Sequence, residues 1–436
     1  MITEVRNGVL YFDGCSTAEL AEKYGTPLYV MSQTEIERRI HELKRCFEEP
    51  YENTRIAYAS KAFCSLAMYR ICQREGLCID IVSGGELYAA MKVGFPAERI
   101  EFNGNNKLPQ EIEAAVDYGV GRFIIDGLQE LSLLESICRE KQKKVNVLYR
   151  ITPGIAASSH DYMVTGKKDS KFGIPLDEDV FYPQIERAIG SEYVNCLGLH
   201  FHIGSQLFDP QVYLKSLDVL LEKVRGIKKY FDFEVKELNL GGGFGVTYTD
   251  EKREPFETFL HPMMEKIQKA YQDMGMAMPA VVIEPGRSVV AEAGMTLYTI
   301  GSIKDIKGVR KYVSVDGGMT DNIRPALYQA EYAGMVVNKG DCTDTEEVTI
   351  CGRCCESGDI LIKDLQIAKG TEAGDIFGIF STGAYGFSMA SNYNSHPIPA
   401  VVMVKEGAAE LVVKRQTYDD MFCNHLVPKS LEKKEV

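Results

Sequence analysis

The sequence predicts an α/β chain with an all-β extension. The expected architecture is a (β/α)8 TIM barrel with a C-terminal β-sandwich or β-barrel domain that also takes in the N-terminal strands. Three observations predict it. Between residues 55 and 283, short apolar runs of strand character alternate with helical patterns, giving eight β units. After about Gly286 the long helical patterns stop, and strand-like runs follow one another between Gly, Asp and Lys turns. The ends of several barrel runs carry Lys, His, Gly-Gly-Gly, Glu and Arg, and the C-terminal rim of such a barrel is where chemistry is placed.

Taken in order, residues 8–12 and 27–30 read as strands that can join the β domain, with a short helix over 17–24 between them. Ile36, Ile40, Leu43 and Phe47 then recur at helical spacing. The eight barrel runs are 55–59, 78–82, 100–102, 123–125, 145–151, 197–201, 237–240 and 281–283. Among the helices between them, Leu217, Leu220, Leu221 and Val224 form one apolar face, and Phe256, Phe259, Leu260, Met263 and Ile267 another. The later strands are 297–303, 311–315, 348–350, 359–367, 375–380, 400–404 and 411–415. The expected domains are residues 1–34, which join the β domain, the barrel over 35–286, and the C-terminal β domain over 287–436.

Composition excludes several functions. The 436 residues are 45% hydrophobic and 25% charged, as in an ordinary soluble protein. A net charge of −13 opposes binding to nucleic acid or an anionic membrane. No apolar run approaches the roughly 20 residues of a membrane span. Residues 1–10 lack the basic and apolar regions of a signal peptide, so the expected location is the cytoplasm. The 12 cysteines are dispersed, which favours reduced thiols over a disulfide framework. Cys351 and Cys354 make one C-x-x-C pair with Cys355 adjacent, but a zinc site wants a second pair or a histidine cluster, so no metal is expected. The polar run 429–436 reads as a frayed end.

Lys61 follows the first barrel run directly. Partial burial there would lower its pKa and make it a Schiff-base nucleophile, although a lone lysine in a turn is ordinarily just solvated. After the sixth run comes His200-Phe201-His202-Ile203-Gly204-Ser205-Gln206, of which at most one histidine is expected in the site. After the seventh comes Gly241-Gly242-Gly243-Phe244-Gly245, whose backbone amides can approach an anion closely. After the eighth comes Glu284-Pro285-Gly286-Arg287, where the arginine can make a bidentate phosphate or carboxylate contact. A glycine triplet alone is usually a turn. The triplet, an arginine and a lysine on one rim are not explained that way.

These pieces, with others, carry a resemblance that runs nearly end to end. It begins at Tyr24-Gly25-Thr26-Pro27-Leu28-Tyr29-Val30 and continues through Tyr58-Ala59-Ser60-Lys61-Ala62 and Asn103-Gly104-Asn105-Asn106-Lys107. Residues 160–173, ending Ser170-Lys171-Phe172-Gly173, are similar to a substrate-side loop. The three strand-end motifs follow, then Arg324-Pro325-Ala326-Leu327-Tyr328, Cys355-Glu356-Ser357-Gly358-Asp359 and Gly383-Ala384-Tyr385. The chain resembles the fold-type III pyridoxal-phosphate decarboxylases, the group of ornithine, arginine and diaminopimelate decarboxylases, and is most similar to the last.

The resemblance implies a small amino acid as substrate, pyridoxal 5'-phosphate as cofactor and a role for each matched residue. Lys61 would hold the cofactor as a Schiff base and His202 would stack on its ring. Ser205, Gly242, Gly243, Gly286 and Arg287 would surround the phosphate. Glu284 would pair with the pyridine nitrogen, and Tyr385 would lie beside cofactor and substrate. Arg287, Arg324 and Tyr328 would receive the substrate's distal carboxylate, and Glu356 its distal ammonium. Cys355 would come from the second subunit of a homodimer, with active sites shared across the interface, and protonate the product carbon. A carboxylate at the ring nitrogen keeps the cofactor a strong electron sink, which favours decarboxylation; an arginine there, as in the similar-looking alanine racemases, would weaken it.

Two departures touch these roles. Ala326 stands where relatives often carry a bulkier residue, which bears on pocket width, and Cys354 adjoins Cys355. The implied activity is decarboxylation of meso-2,6-diaminopimelate to L-lysine and CO2, the last step of lysine biosynthesis. The alternatives are a related decarboxylase acting on D-ornithine, arginine or carboxynorspermidine, and a catalytically dead binding protein. Retention of Lys61, Glu284 and Cys355 speaks against the latter.

Overall fold

The structure is a computed structural model that describes residues 2–155 and 169–431. Residues 160–168 of the substrate-side segment and 432–436 of the polar end lie outside the described residues. The chain forms two compact units, Gln33–Ala293 and the combination of Met1–Ser32 with Gly294–Val436.

In the first unit eight parallel strands close into a barrel in chain order. They are β1 (Thr54–Ala59), β2 (Cys78–Ile81), β3 (Ile100–Phe102), β4 (Arg122–Ile125), β5 (Val145–Ile151), β6 (Val194–Phe201), β7 (Glu237–Asn239) and β8 (Ala280–Ile283). Closure comes from β8 beside β1, with Val281 opposite Thr54 and Ile283 opposite Ile56. The helices between strands bury the faces their spacing predicts. Pro210–Phe231 buries Leu217, Leu220, Leu221 and Val224. It starts where the Asp209 side chain accepts the Gln211 N–H, with Pro210 in the first turn, and ends at a left-handed Asp232. Phe256–Asp273 buries Phe256, Phe259, Leu260, Met263 and Ile267. Such faces supply the apolar packing of the unit, at roughly 25 cal/mol per Å² removed from water. No helix among the described residues is long and apolar enough to cross a membrane.

The second unit is mostly sheet, as predicted. The strand Leu28–Ser32 is buried along its whole length. It lies between Gly294–Ile306, antiparallel, and Ala400–Lys405, parallel, so an N-terminal strand sits inside a nine-stranded sheet. A three-stranded sheet of Thr3–Arg6, Val9–Phe12 and Cys15–Ser16 adds Leu10 and Phe12 to a core with Leu28, Val30, Leu297 and Val402. The helix Thr17–Tyr24 starts on Ser16, whose hydroxyl accepts the Glu19 N–H. Among the described residues three strands have no counterpart in the sequence reading, Thr3–Arg6, Cys15–Ser16 and Gly334–Val336. Each is too short to show an apolar alternation.

Candidate active site

The barrel interior is polar where such barrels are ordinarily filled by branched apolar side chains. Asp80, Glu101, Asn103, His200, Asn239 and Glu284 are all buried. Two amides organise the carboxyl groups. Asn103 Nδ2 donates to Asp80 Oδ1 at 2.7 Å and to Glu284 Oε1 at 3.0 Å. Asn239 Nδ2 donates to Glu101 Oε2 and to Glu284 Oε1, both at 2.8 Å. On the other oxygen, Glu284 Oε2 lies 3.0 Å from His200 Nε2. Further in, Glu237 is held by Arg55 and Arg122, each at 2.6 Å.

These contacts divide the charge unequally. Burial pushes the Asp80 carboxyl well up, and the charge of Glu284 pushes it further. Burial, Glu237 and Glu284 do the same to Glu101. Burial also acts to raise Glu284, but His200 hydrogen-bonded beside it and the charge of Lys61 act against burial, and the carboxyl is held below its usual range. Of the three, Glu284 is the one held towards its ionised form, while burial and the neighbouring acids push Asp80 and Glu101 the other way.

At the rim, Lys61 lies in the single turn Ser60–Ala62 that follows β1. Ser60 and Ala62 point into the packed wall, while Lys61 is exposed. The expectation of partial burial is therefore corrected: the turn swings this side chain out of the wall. Its charge nevertheless acts on Asp80, Glu86, His202 and Glu284, which places it over the barrel mouth.

The expectation that at most one of His200 and His202 faces the site is also corrected. Residues two apart on a strand share a face. His200 reaches Glu284, and His202 lies at the glycine triplet, where the Gly242 N–H donates to Nδ1 at 3.2 Å. Burial, Lys61 and Arg150 hold the His202 ring well below its usual pKa, so it is neutral.

The glycine triplet forms a cradle. Gly243 has φ +103, and a Cβ there would collide with the Gly204 carbonyl; a Cβ on Gly242 would collide with the Glu284 carbonyl. Beside it, Arg287 is buried and donates to Ser205 Oγ at 3.0 and 3.1 Å and to Tyr248 OH at 2.6 Å. Gly286 packs too tightly against Ala59 and Ala62 to carry a side chain without a shift. The cradle, an arginine, an ionised carboxylate and an amine fit a cofactor with a phosphate, a basic ring nitrogen and a carbonyl. The described part of the substrate-side segment docks on β5: Ile174 N–H donates to Arg150 O at 2.9 Å, and the Arg150 guanidinium lies 4.3 Å over the Phe172 ring.

The other candidate residues belong to the second unit. Arg324 and Tyr328 open and close the short helix Arg324–Tyr328. Arg324 is buried and donates to Tyr332 OH. Cys355 and Glu356 sit exposed on the turn after Thr345–Cys351, with the Cys355 N–H on Asn394 Oδ1 at 2.7 Å. Its neighbour Cys354 is buried, and burial followed by the charge of Asp359 pushes its thiol up to about 11. The Asp359 carboxylate accepts from the Met319 N–H at 2.7 Å and from the Cys354 N–H at 2.8 Å. Tyr385 holds φ +60, a left-handed conformation uncommon for a bulky residue.

The sequence reading missed Asp80, Glu101, Asn103 and Asn239 as functional candidates, although Asn103 stands in a quoted motif. Their signal is a polar side chain inside an otherwise apolar strand run, as in Ile79-Asp80-Ile81, Ile100-Glu101-Phe102 and Leu238-Asn239-Leu240.

Comparison with known proteins bears on this site directly. The family described as pyridoxal-dependent decarboxylase, pyridoxal binding domain, matches residues 33–291. Diaminopimelate decarboxylase of Bacillus methanolicus is 47% identical over 420 residues, covering 95% of this chain and 97% of that protein. A crystal structure of diaminopimelate decarboxylase from Methanocaldococcus jannaschii is similar with a TM-score of 0.93 and 36% identity, over 99% of each chain. The same enzyme in complex with L-lysine is similar with a TM-score of 0.92.

Proposed function

The chain belongs to the pyridoxal-dependent decarboxylases, and from that premise we propose that it removes one α-carboxyl group of meso-2,6-diaminopimelate to give L-lysine and CO2. The observation that carries the reaction class is Glu284, a buried carboxylate kept ionised at the barrel mouth near Lys61. Pyridoxal 5'-phosphate supplies the electron sink for the pair left when the carboxylate departs. Lys61 holds it through the side-chain amine. Glu284 keeps a proton on the ring nitrogen, which preserves the sink, and neutral His202 covers the ring without competing for that proton. Ser205, Gly242, Gly243, Gly286 and Arg287 hold the phosphate, and Tyr385 borders cofactor and substrate.

Substrate choice follows from the far end of the amino acid. Arg324, with Arg287 and Tyr328, reads the distal carboxylate, and Glu356 reads the distal ammonium. The support is the burial of Arg324 and its anchoring on Tyr332, which suit an arginine built for an anion. Cys355 delivers the proton to the product carbon of the partner subunit in a homodimer with shared sites. Its exposure supports that role, whereas Cys354 is buried with its thiol pushed up. We place the reaction in the cytoplasm, whose reducing conditions suit 12 cysteines of which none is in a disulfide. The test is product analysis: CO2 and L-lysine from meso-diaminopimelate, with lysine, ornithine and arginine as comparison substrates. Equal turnover of any of the three would overturn the substrate assignment.

A further inference from the structure

Asn239 closes β7 at the foot of the glycine triplet and is fully buried. A side-chain amide has two donor hydrogens and one acceptor oxygen. Here the donors go to Glu101 Oε2 and Glu284 Oε1, each at 2.8 Å, and Oδ1 accepts the Gly241 N–H at 2.9 Å. The backbone closes the ring, since the Glu284 N–H donates to the Gly241 carbonyl at 2.7 Å. Gly241 is thus joined to Glu284 twice, once through the main chain and once through this amide.

We propose that Asn239 is a positioning residue that locks the Glu284 carboxylate to the glycine triplet, so that the ring contact and the phosphate contact are presented at a fixed spacing. The inference rests on the reading of Glu284 and the triplet as cofactor contacts. It goes beyond that reading by assigning the spacing to one side chain that touches no ligand. Glu101 completes the arrangement from below. Burial and its acidic neighbours push its carboxyl towards the protonated form, which lessens the charge it sets against Glu284 while it takes one amide hydrogen. The plainer account is that Asn239 only satisfies buried groups. Its removal would then cost stability and weaken every ligand of the barrel mouth alike.

The two accounts separate in cofactor binding. The affinity of the cofactor-free protein for pyridoxal 5'-phosphate and for pyridoxal, which lacks the phosphate, is measured by fluorescence titration. The proteins compared are wild type, Asn239→Leu, Glu284→Gln and the double variant. Loss of the bridge should weaken pyridoxal 5'-phosphate about ten- to a hundred-fold and pyridoxal much less, because only the former spans both contacts. The double variant should bind no worse than the weaker single variant, since an amide with no carboxylate to hold has nothing left to position. Asn239→Asp keeps the acceptor for Gly241 but loses the donor to Glu284, so it should show the same selective loss of pyridoxal 5'-phosphate, and it carries the comparison if the leucine variant does not fold. Equal losses for the two ligands, or additive losses in the double variant, overturn the bridge and leave the family reading standing. Failure of the wild type to bind pyridoxal 5'-phosphate overturns both.

Discussion

The strands Leu28–Ser32 and Gly294–Ile306 of the sheet unit enclose Leu28, Val30, Met295 and Leu297, whereas the barrel strands enclose Asp80, Glu101, Asn103, His200 and Asn239. Burying a polar group costs free energy unless its hydrogen bonds are remade. The barrel meets that cost with amides that each satisfy two carboxyl groups, and it draws its apolar packing from outer helices such as Pro210–Phe231. The sheet unit keeps its centre apolar and carries its candidate residues on turns and short helices, at Arg324, Cys355 and Tyr385. One unit therefore carries candidate residues in its interior and at its rim, and the other carries them at its turns and short helices. Substitutions in the two should fail differently: through cofactor and turnover in the barrel interior, through stability in the sheet core, and through substrate choice or subunit pairing at the sheet unit's turns.

The largest expected effect is on the barrel side. Lys61→Ala should lower decarboxylation by on the order of a thousand-fold or more, because the covalent attachment is lost outright. The exposed side chain holds nothing in the packed wall, so the fold should persist. Borohydride reduction followed by peptide mapping checks the attachment. Labelling of another lysine would remove Lys61 from its role.

Arg324→Ala should separate substrate reading from cofactor binding. A buried arginine left facing an amine-ended substrate, or removed from a carboxylate-ended one, costs on the order of 2–5 kcal/mol, or roughly thirty- to several-thousand-fold in kcat/KM. Affinity for pyridoxal 5'-phosphate should stay near wild type. A variant that loses cofactor and substrate together would break the division between the units.

Leu297→Ala tests the sheet core. Its side chain is completely buried, and truncation should cost about 2–5 kcal/mol in urea unfolding. Turnover per folded molecule should not change. Glu101→Leu is the matching barrel change: it leaves one buried Asn239 amide hydrogen without its acceptor, which should cost about 1–3 kcal/mol, and unlike Leu297→Ala it should also weaken cofactor binding.

The role proposed for Cys355 in a partner's site extends the comparison to a homodimer. Lys61→Ala and Cys355→Ala proteins, each inactive alone, should form mixed dimers with one intact site. Random exchange should recover about a quarter of wild-type activity. Verified mixed dimers with no activity would show that each subunit is self-sufficient.

How much of this was legible in the sequence differs between the units for a physical reason. The barrel strands stood out because burial on both faces makes apolar runs such as 123–125 and 281–283, and the rim stood out because glycines and charges cluster directly after several of those runs. The carboxyl–amide cluster did not, because Asp80, Glu101 and Asn239 each interrupt a run only once and meet only when the barrel closes. His200 and His202 were separable only by geometry. Lys61 was found but its surroundings were not, since a three-residue turn decides whether it is packed or free.

The smallest effect concerns a carboxyl group of the sheet unit that breaks its apolar rule. Asp321 is buried; Tyr298 OH donates to Oδ1 at 2.5 Å, and the Gly318 N–H to Oδ2 at 2.9 Å. Burial raises it to about 7, with the two hydrogen bonds opposing and Asp359 and Asp316 adding to the shift. In the unfolded chain it titrates near the ordinary value of 3.8. The folded state therefore holds a proton that the unfolded state releases. Its contribution to stability is fully present below about 4 and is lost as pH rises towards 7. The loss is on the order of 4 kcal/mol at most, at 1.36 kcal/mol per pH unit. Asp321→Asn cannot ionise, so the difference in melting temperature between variant and wild type should move in the variant's favour across that window. The asparagine also loses an acceptor for the Gly318 N–H, but that penalty does not change with pH, so the slope of the difference, not its level, is the measurement. A difference that stays flat from pH 4 to 7 would mean that Asp321 is already ionised in the folded protein, with the Tyr298 and Gly318 hydrogen bonds outweighing its burial.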